Sequence, residues 1–104
     1  MTETEHQPSA RERYQQEAAS IGFEELQKHF AKGILINVDP ALDLIEVAVA
    51  MHRDDTAVIE DWMGCQQLER AHDEHAKKWL AEQTVFLAVT VAPWVLVQEQ
   101  TGRR

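Results

Sequence analysis

Val85-Phe86-Leu87-Ala88-Val89-Thr90-Val91-Ala92-Pro93-Trp94-Val95-Leu96-Val97-Gln98 is the most apolar run of the 104-residue chain, and its reading decides the fold. A transmembrane helix needs about 20 apolar residues, more than this run supplies. Val85, Val89, Thr90, Val91, Val95 and Val97 are β-branched; such side chains lose rotamer freedom in a helix and pack well on a pleated surface, so the run reads as extended. Pro93 donates no N–H and divides it. Val85–Val91 has Thr90 as its one polar member and is expected to be a central strand covered on both faces. Trp94–Gln98 is expected to be a shorter strand or extended tail at the edge of the sheet.

The surrounding segments read as cover for that strand. Ser9 followed by Glu12 has the capping-box spacing of a helix over about 10–19, with Tyr14 and Ala18 on one side. Phe23, Leu26 and Phe30 form one stripe of a second helix that Gly33 ends. Ile34–Val38 is a short β-branched strand. Asp39-Pro40 reads as a helix start, with Ala41, Leu44, Ile45, Ala48 and Met51 facing inward, and Asp54-Asp55 as the start of another carrying Val58, Ile59, Trp62 and Met63. Cys65–Arg70 is a polar stretch that fits an edge strand centred on Leu68. Asp73 is expected to cap a helix with Ala76, Trp79 and Leu80 inward. The expectation is an α/β (or α+β) domain over residues 9–99. It would hold a small three- to four-stranded mixed sheet covered by four to five helices, with a disordered tail at 1–8 and a frayed one at 100–104.

Composition narrows the function classes. The formal charge is −8 and the isoelectric point is near 5.0, and residues 20–99 hold 14 acidic against 6 basic side chains. Nucleic-acid partners are selected by clustered Lys and Arg, so none is expected. No membrane association is expected either. The single cysteine, Cys65, excludes an internal disulfide and a CxxC zinc site. The start of the chain lacks the basic and apolar regions of a secretory signal, so a cytoplasmic location is expected.

Three stretches carry a resemblance: Phe23-Glu24-Glu25-Leu26-Gln27-Lys28-His29-Phe30-Ala31-Lys32-Gly33, Asp39-Pro40-Ala41-Leu42-Asp43-Leu44-Ile45-Glu46-Val47-Ala48 and, most specifically, Val91-Ala92-Pro93-Trp94-Val95-Leu96-Val97-Gln98-Glu99. Together, over about residues 21–99, they are similar to the small prokaryotic family known as domain of unknown function 2288. The resemblance implies a bacterial cytoplasmic protein and carries over no catalytic residue.

Chemistry is sparse. His72-Asp73-Glu74-His75 places two imidazoles three residues apart, a spacing that can converge on a metal with a carboxylate, but the pair straddles a helix start and fits a polar capping turn better. No metal or cofactor is therefore assigned, with His72 and His75 as weak candidates. Cys65 is expected at a helix C-terminus, where the dipole disfavours a thiolate. The acidic edges Asp39, Asp43, Glu46 and Asp54, Asp55, Glu60, Asp61 read as caps and solvated helix faces. No phosphate loop, nucleophile elbow, HExxH or dinucleotide fingerprint is present.

The leading expectation is a non-enzymatic interaction module, a homodimer or a partner of another protein, in which the last strand, bearing Trp94, Leu96 and Gln98, pairs edge to edge with its copy or packs against it. The alternatives are a small ligand-binding or metal-dependent enzyme domain using carboxylates with His72 or His75, and an acidic protein binding a basic partner.

Overall fold

The computed structural model describes residues 9–100, and the tails expected at 1–8 and 101–104 lie outside the described residues. Helix α1 (Ala10–Glu17) starts at the capping box: the Glu12 N–H donates to Ser9 Oγ at 3.1 Å and the Ser9 N–H to Glu12 Oε1 at 3.0 Å. An unanticipated strand, β1 (Ala19–Gly22), leads into α2 (Phe23–Ala31), which stops at Gly33 in the left-handed region with φ 74°. Strand β2 (Leu35–Val38) follows. The helix start expected at Asp39-Pro40 is corrected. Asp39 Oδ1 instead accepts the Ala41 N–H at 2.7 Å in a turn, and α3 (Leu44–His52) begins after Asp43, whose Oδ1 accepts the Ile45 N–H at 2.9 Å.

The next helix, α4 (Thr56–Gly64), has Asp55 at its N-cap position with no side-chain capping bond, so the cap expected from Asp54-Asp55 is not made. Asp54 takes the left-handed turn before it, φ 57°. Strand β3 (Leu68–Arg70) precedes α5 (Asp73–Glu82), whose N-cap is His72 rather than Asp73. Strands β4 (Val85–Val91) and β5 (Trp94–Glu99) then form a hairpin across Ala92-Pro93, a cis peptide bond.

The five strands lie in the order β1-β4-β5-β2-β3, and only the β2–β5 pair is parallel, so the sheet is mixed and holds more strands than expected. Its middle strand is β5, and this corrects the placement of Trp94–Gln98 at an edge. Both ladders of β5 are filled, by β4 on one side and β2 on the other. Leu96 is fully buried, and the Gln98 amide donates to the main-chain oxygens of Asp39 at 3.0 Å and Leu42 at 2.6 Å. Edge-to-edge pairing through this strand is therefore ruled out by the fold; the free edges belong to β1 and β3. Gln100, expected in the tail, still donates its N–H to Val85 O at 2.9 Å.

Strand alternation divides the core into two layers. Ile36, Val38, Leu68, Val89, Val91 and Leu96 point to one face, where Tyr14 of α1 and Leu44, Ile45, Val47 and Ala48 of α3 close over them. Leu35, Phe86, Val95 and Val97 point to the other, against Phe23 and Leu26 of α2 and Trp79 of α5. Phe23, Trp79 and Phe86 pack ring to ring, Trp79 meeting Phe86 edge-on at 4.8 Å between centroids. The Trp79 indole N–H donates to Glu99 Oε2 at 3.0 Å, so the largest buried ring is also polar-satisfied. Two inward assignments are corrected: Leu80 is 53% exposed, and Trp62 is only half-buried. Trp79 already fills the α5 seat, and Leu80, the next residue around the helix, turns outward.

Candidate functional site

Two places on the molecule bring together residues singled out in the sequence. The first lies where β3 meets the start of α5. His72 and His75, separated by one helical turn, have ring centroids 3.9 Å apart. Glu69, on β3, reaches them from the sheet: its Oε2 is 3.5 Å from His75 Nε2. Each of the three offers a ligand atom, and these atoms all lie within 4.8 Å of one another. Sequence reading found the two histidines and missed the glutamate, although Glu69, His72 and His75 recur at three-residue intervals.

The electrostatics of the site follow from its position. Burial lowers the His75 pKa from the ordinary 6.5, the neighbouring His72 lowers it further, and Glu69 and Glu99 oppose the shift. His75 also closes the helix start, its Nδ1 accepting the His72 main-chain N–H at 3.1 Å. With Nδ1 accepting, neutral His75 carries its proton on Nε2, where it faces Glu69. The Trp79 ring stacks on His75, centroids 5.1 Å apart with the planes inclined by 14°. The imidazole is thus held by its ring face as well as by its two nitrogens.

The second place is an apolar groove of about 400 Å³ on the α3 and α4 side of the sheet, lined by Ile36, Met51, Ile59, Met63, Leu68 and Trp94, with Arg70 beside them. Trp94, the half-buried first residue of β5, carries the Arg70 guanidinium over its ring at 5.3 Å. Met63 is 51% exposed, and α4 as a whole buries none of its residues. Of the three residues expected at a partner surface, only Trp94 faces this groove; Leu96 and Gln98 serve the interior.

The remaining sequence candidates do not converge. Cys65 is exposed and caps the C-terminus of α4, as expected from Gly64 before it. Asp39 and Asp43 are committed to the turn and to the α3 cap, and Glu46 pairs with Arg11 at 3.5 Å. Among the described residues, no trio of His, Cys, Asp or Glu other than Glu69, His72 and His75 brings its ligand atoms together. Among the same residues, no helix is long and apolar enough to cross a membrane.

No curated protein matches the chain. The fold is similar to the NMR solution structure of PA1075 from Pseudomonas aeruginosa, with a TM-score of 0.80 and 36% sequence identity over 100% of this chain and 97% of that one. The model of the family described as "protein of unknown function (DUF2288)" matches residues 9–99, which takes in every described element and both places above. By that match the chain belongs to the DUF2288 family.

Proposed function

We propose that the protein is an interaction module that associates with a second copy of itself through the groove bounded by α4 and Trp94. The observation that carries this reading is the incompletely covered apolar face of α4: Ile59 and Trp62 pack only partly against the core, Val58 is half-buried, and Met63 is exposed. Contiguous apolar surface rimmed by charge is uncommon on a monomer and is the ordinary signature of a docking face. Tryptophan and methionine are enriched at such faces, tryptophan as an anchor and methionine because its flexible thioether adapts to what it meets.

The charges favour a second copy as occupant. Exposed Glu60 and Asp61 precede Trp62 and Met63 on α4, while Arg70 stands over Trp94 on the other side of the groove. A two-fold axis through the patch sets the Arg70 end of one copy against the acidic α4 end of the other, so one self-complementary surface serves both partners. The chain's net charge of −8 opposes association at long range, and added salt should therefore tighten the dimer. Sedimentation equilibrium from low to high micromolar concentration tests the reading: a monomer–dimer equilibrium is expected, shifted to monomer by Met63→Glu and by Trp94→Ala. A chain that stays monomeric throughout that range, with and without salt, would overturn it.

A further inference from the structure

We propose that Glu69, His72 and His75 form a binding site for one divalent transition-metal ion of the zinc or nickel class. Two imidazoles and one carboxylate are the donor set that borderline ions of this class prefer over the oxygen-only shells of magnesium and calcium. The three residues come from two elements that pack together. Glu69 is fixed on a strand by its pairing with Asn37, and His72 and His75 are fixed by the first turn of α5. Convergence is thus set by the fold, and chance meeting of long surface side chains does not account for it.

The distances fit a site that tightens on loading. Zinc binds nitrogen and oxygen ligands at about 2.0–2.2 Å, which puts adjacent ligand atoms roughly 3 Å apart. Here the three ligand atoms lie within 4.8 Å of one another, and His75 Nε2 is 3.5 Å from Glu69 Oε2. His72 is exposed and Glu69 half-buried, so side-chain rotation can close the remainder. A second observation points to the same spot. Asn37, directly opposite Glu69 on β2, has a buried Oδ1 with no hydrogen-bond partner. Side chains of an antiparallel pair share one face of the sheet with Cβ atoms about 5 Å apart, so the unpartnered amide lies on the same face as the Glu69 carboxylate, where it can serve as a further acceptor toward a cation's bound water.

The tautomer of His75 gives loading a defined consequence. In the structure its Nδ1 accepts the His72 N–H, which places the ring proton on Nε2. A metal taken at Nε2 displaces that proton; the ring is reprotonated at Nδ1, and the bond to the His72 N–H is released. A metal taken at Nδ1 replaces the same bond directly. Either way the capping bond of α5 is exchanged for coordination, and three protein ligands leave open positions for water or an added group.

Calorimetric titration of the untagged, chelator-treated full chain with zinc chloride and with nickel chloride tests the site, read together with the imidazole ¹⁵N resonances. One ion per chain at micromolar affinity is expected, with the His72 and His75 ring nitrogens shifted and those of His29 and His52 unmoved. His72→Ala removes an exposed side chain and should leave the fold intact while weakening binding at least about tenfold, the lower limit for losing even an outer partner of a metal site. Glu69→Gln should do the same. Absence of binding heat, binding that both variants leave unchanged, or shifts confined to other histidines would overturn the proposal.

Discussion

Helices α3 and α4 have nine residues each and both carry an apolar stripe, yet α3 buries Leu44, Ile45, Val47, Ala48 and Ala50 while α4 fully buries none of its residues. The difference lies in what each helix lies against. α3 crosses the middle of the sheet over β4 and β5 and is flanked by α1, which docks through Tyr14, its hydroxyl 3.2 Å from His52 Nδ1. α4 sits beyond the end of α3 near β3, a strand of three residues at the sheet edge, and there is too little sheet beneath it to cover its stripe. Hydrophobic periodicity specifies that a face will be apolar; the number of strands beneath it decides whether the chain itself can cover that face.

Substitutions of one apolar residue in each helix sharpen that contrast. Leu44→Ala in α3 should destabilise the chain by about 2–5 kcal/mol in urea unfolding, the ordinary range for emptying a packed site. Met63→Ala in α4 should change the stability of the monomer by no more than about 0.5 kcal/mol, as for an exposed site. Equal losses at the two positions would show that α4 is sealed by its own chain. The helix starts divide in the same way. Asp43→Ala removes a cap that accepts the Ile45 N–H and should cost about 1 kcal/mol, whereas Asp55→Ala, which removes no capping bond, should stay within about 0.5 kcal/mol.

The start of α5 extends the comparison to a pH-dependent cap. The groups facing His75 are His72 and Lys78 on its own helix, Glu69 on β3 and Glu99 on β5, and burial with His72 leaves its folded pKa below the ordinary 6.5. Between the depressed folded value and 6.5 the unfolded chain binds more protons than the folded one. Stability should therefore fall as pH drops through that window and level off below it. Urea midpoints measured across mildly acid pH should show a small loss that His75→Gln removes; a loss of the same size in that variant would place its origin elsewhere.

Much of the fold was legible in the sequence because it rests on local chemistry. Ser9 with Glu12, the Phe23–Leu26 stripe ended by Gly33, and the β-branched run of β4 each act through neighbours a few residues away. What escaped depends on partners far along the chain. β1, Ala-Ser-Ile-Gly, has no strand pattern of its own and is extended because it pairs with β4. The central place of β5 is a matter of strand order, which an apolar run does not encode: Val95 and Val97 read as well at an edge as in the middle. Asp39 followed by Pro40 reads as a cap, yet Gln98, distant in sequence, holds the Asp39 and Leu42 carbonyls in a turn and leaves the start to Asp43. The histidine pair was visible from its spacing. Glu69 was not, because its meeting with His75 depends on how α5 packs against the short strand β3.

The three tryptophans offer the most direct measurement, since Trp79 is sealed, Trp94 lines the groove and half-buried Trp62 precedes the groove residue Met63 on α4. Indole N–H resonances followed through a dilution series report each ring separately. Trp62 and Trp94 should shift with concentration while Trp79, fully buried and bonded to Glu99, stays fixed. Resonances of Trp62 and Trp94 that do not move from low to high micromolar concentration would contradict self-association through α4.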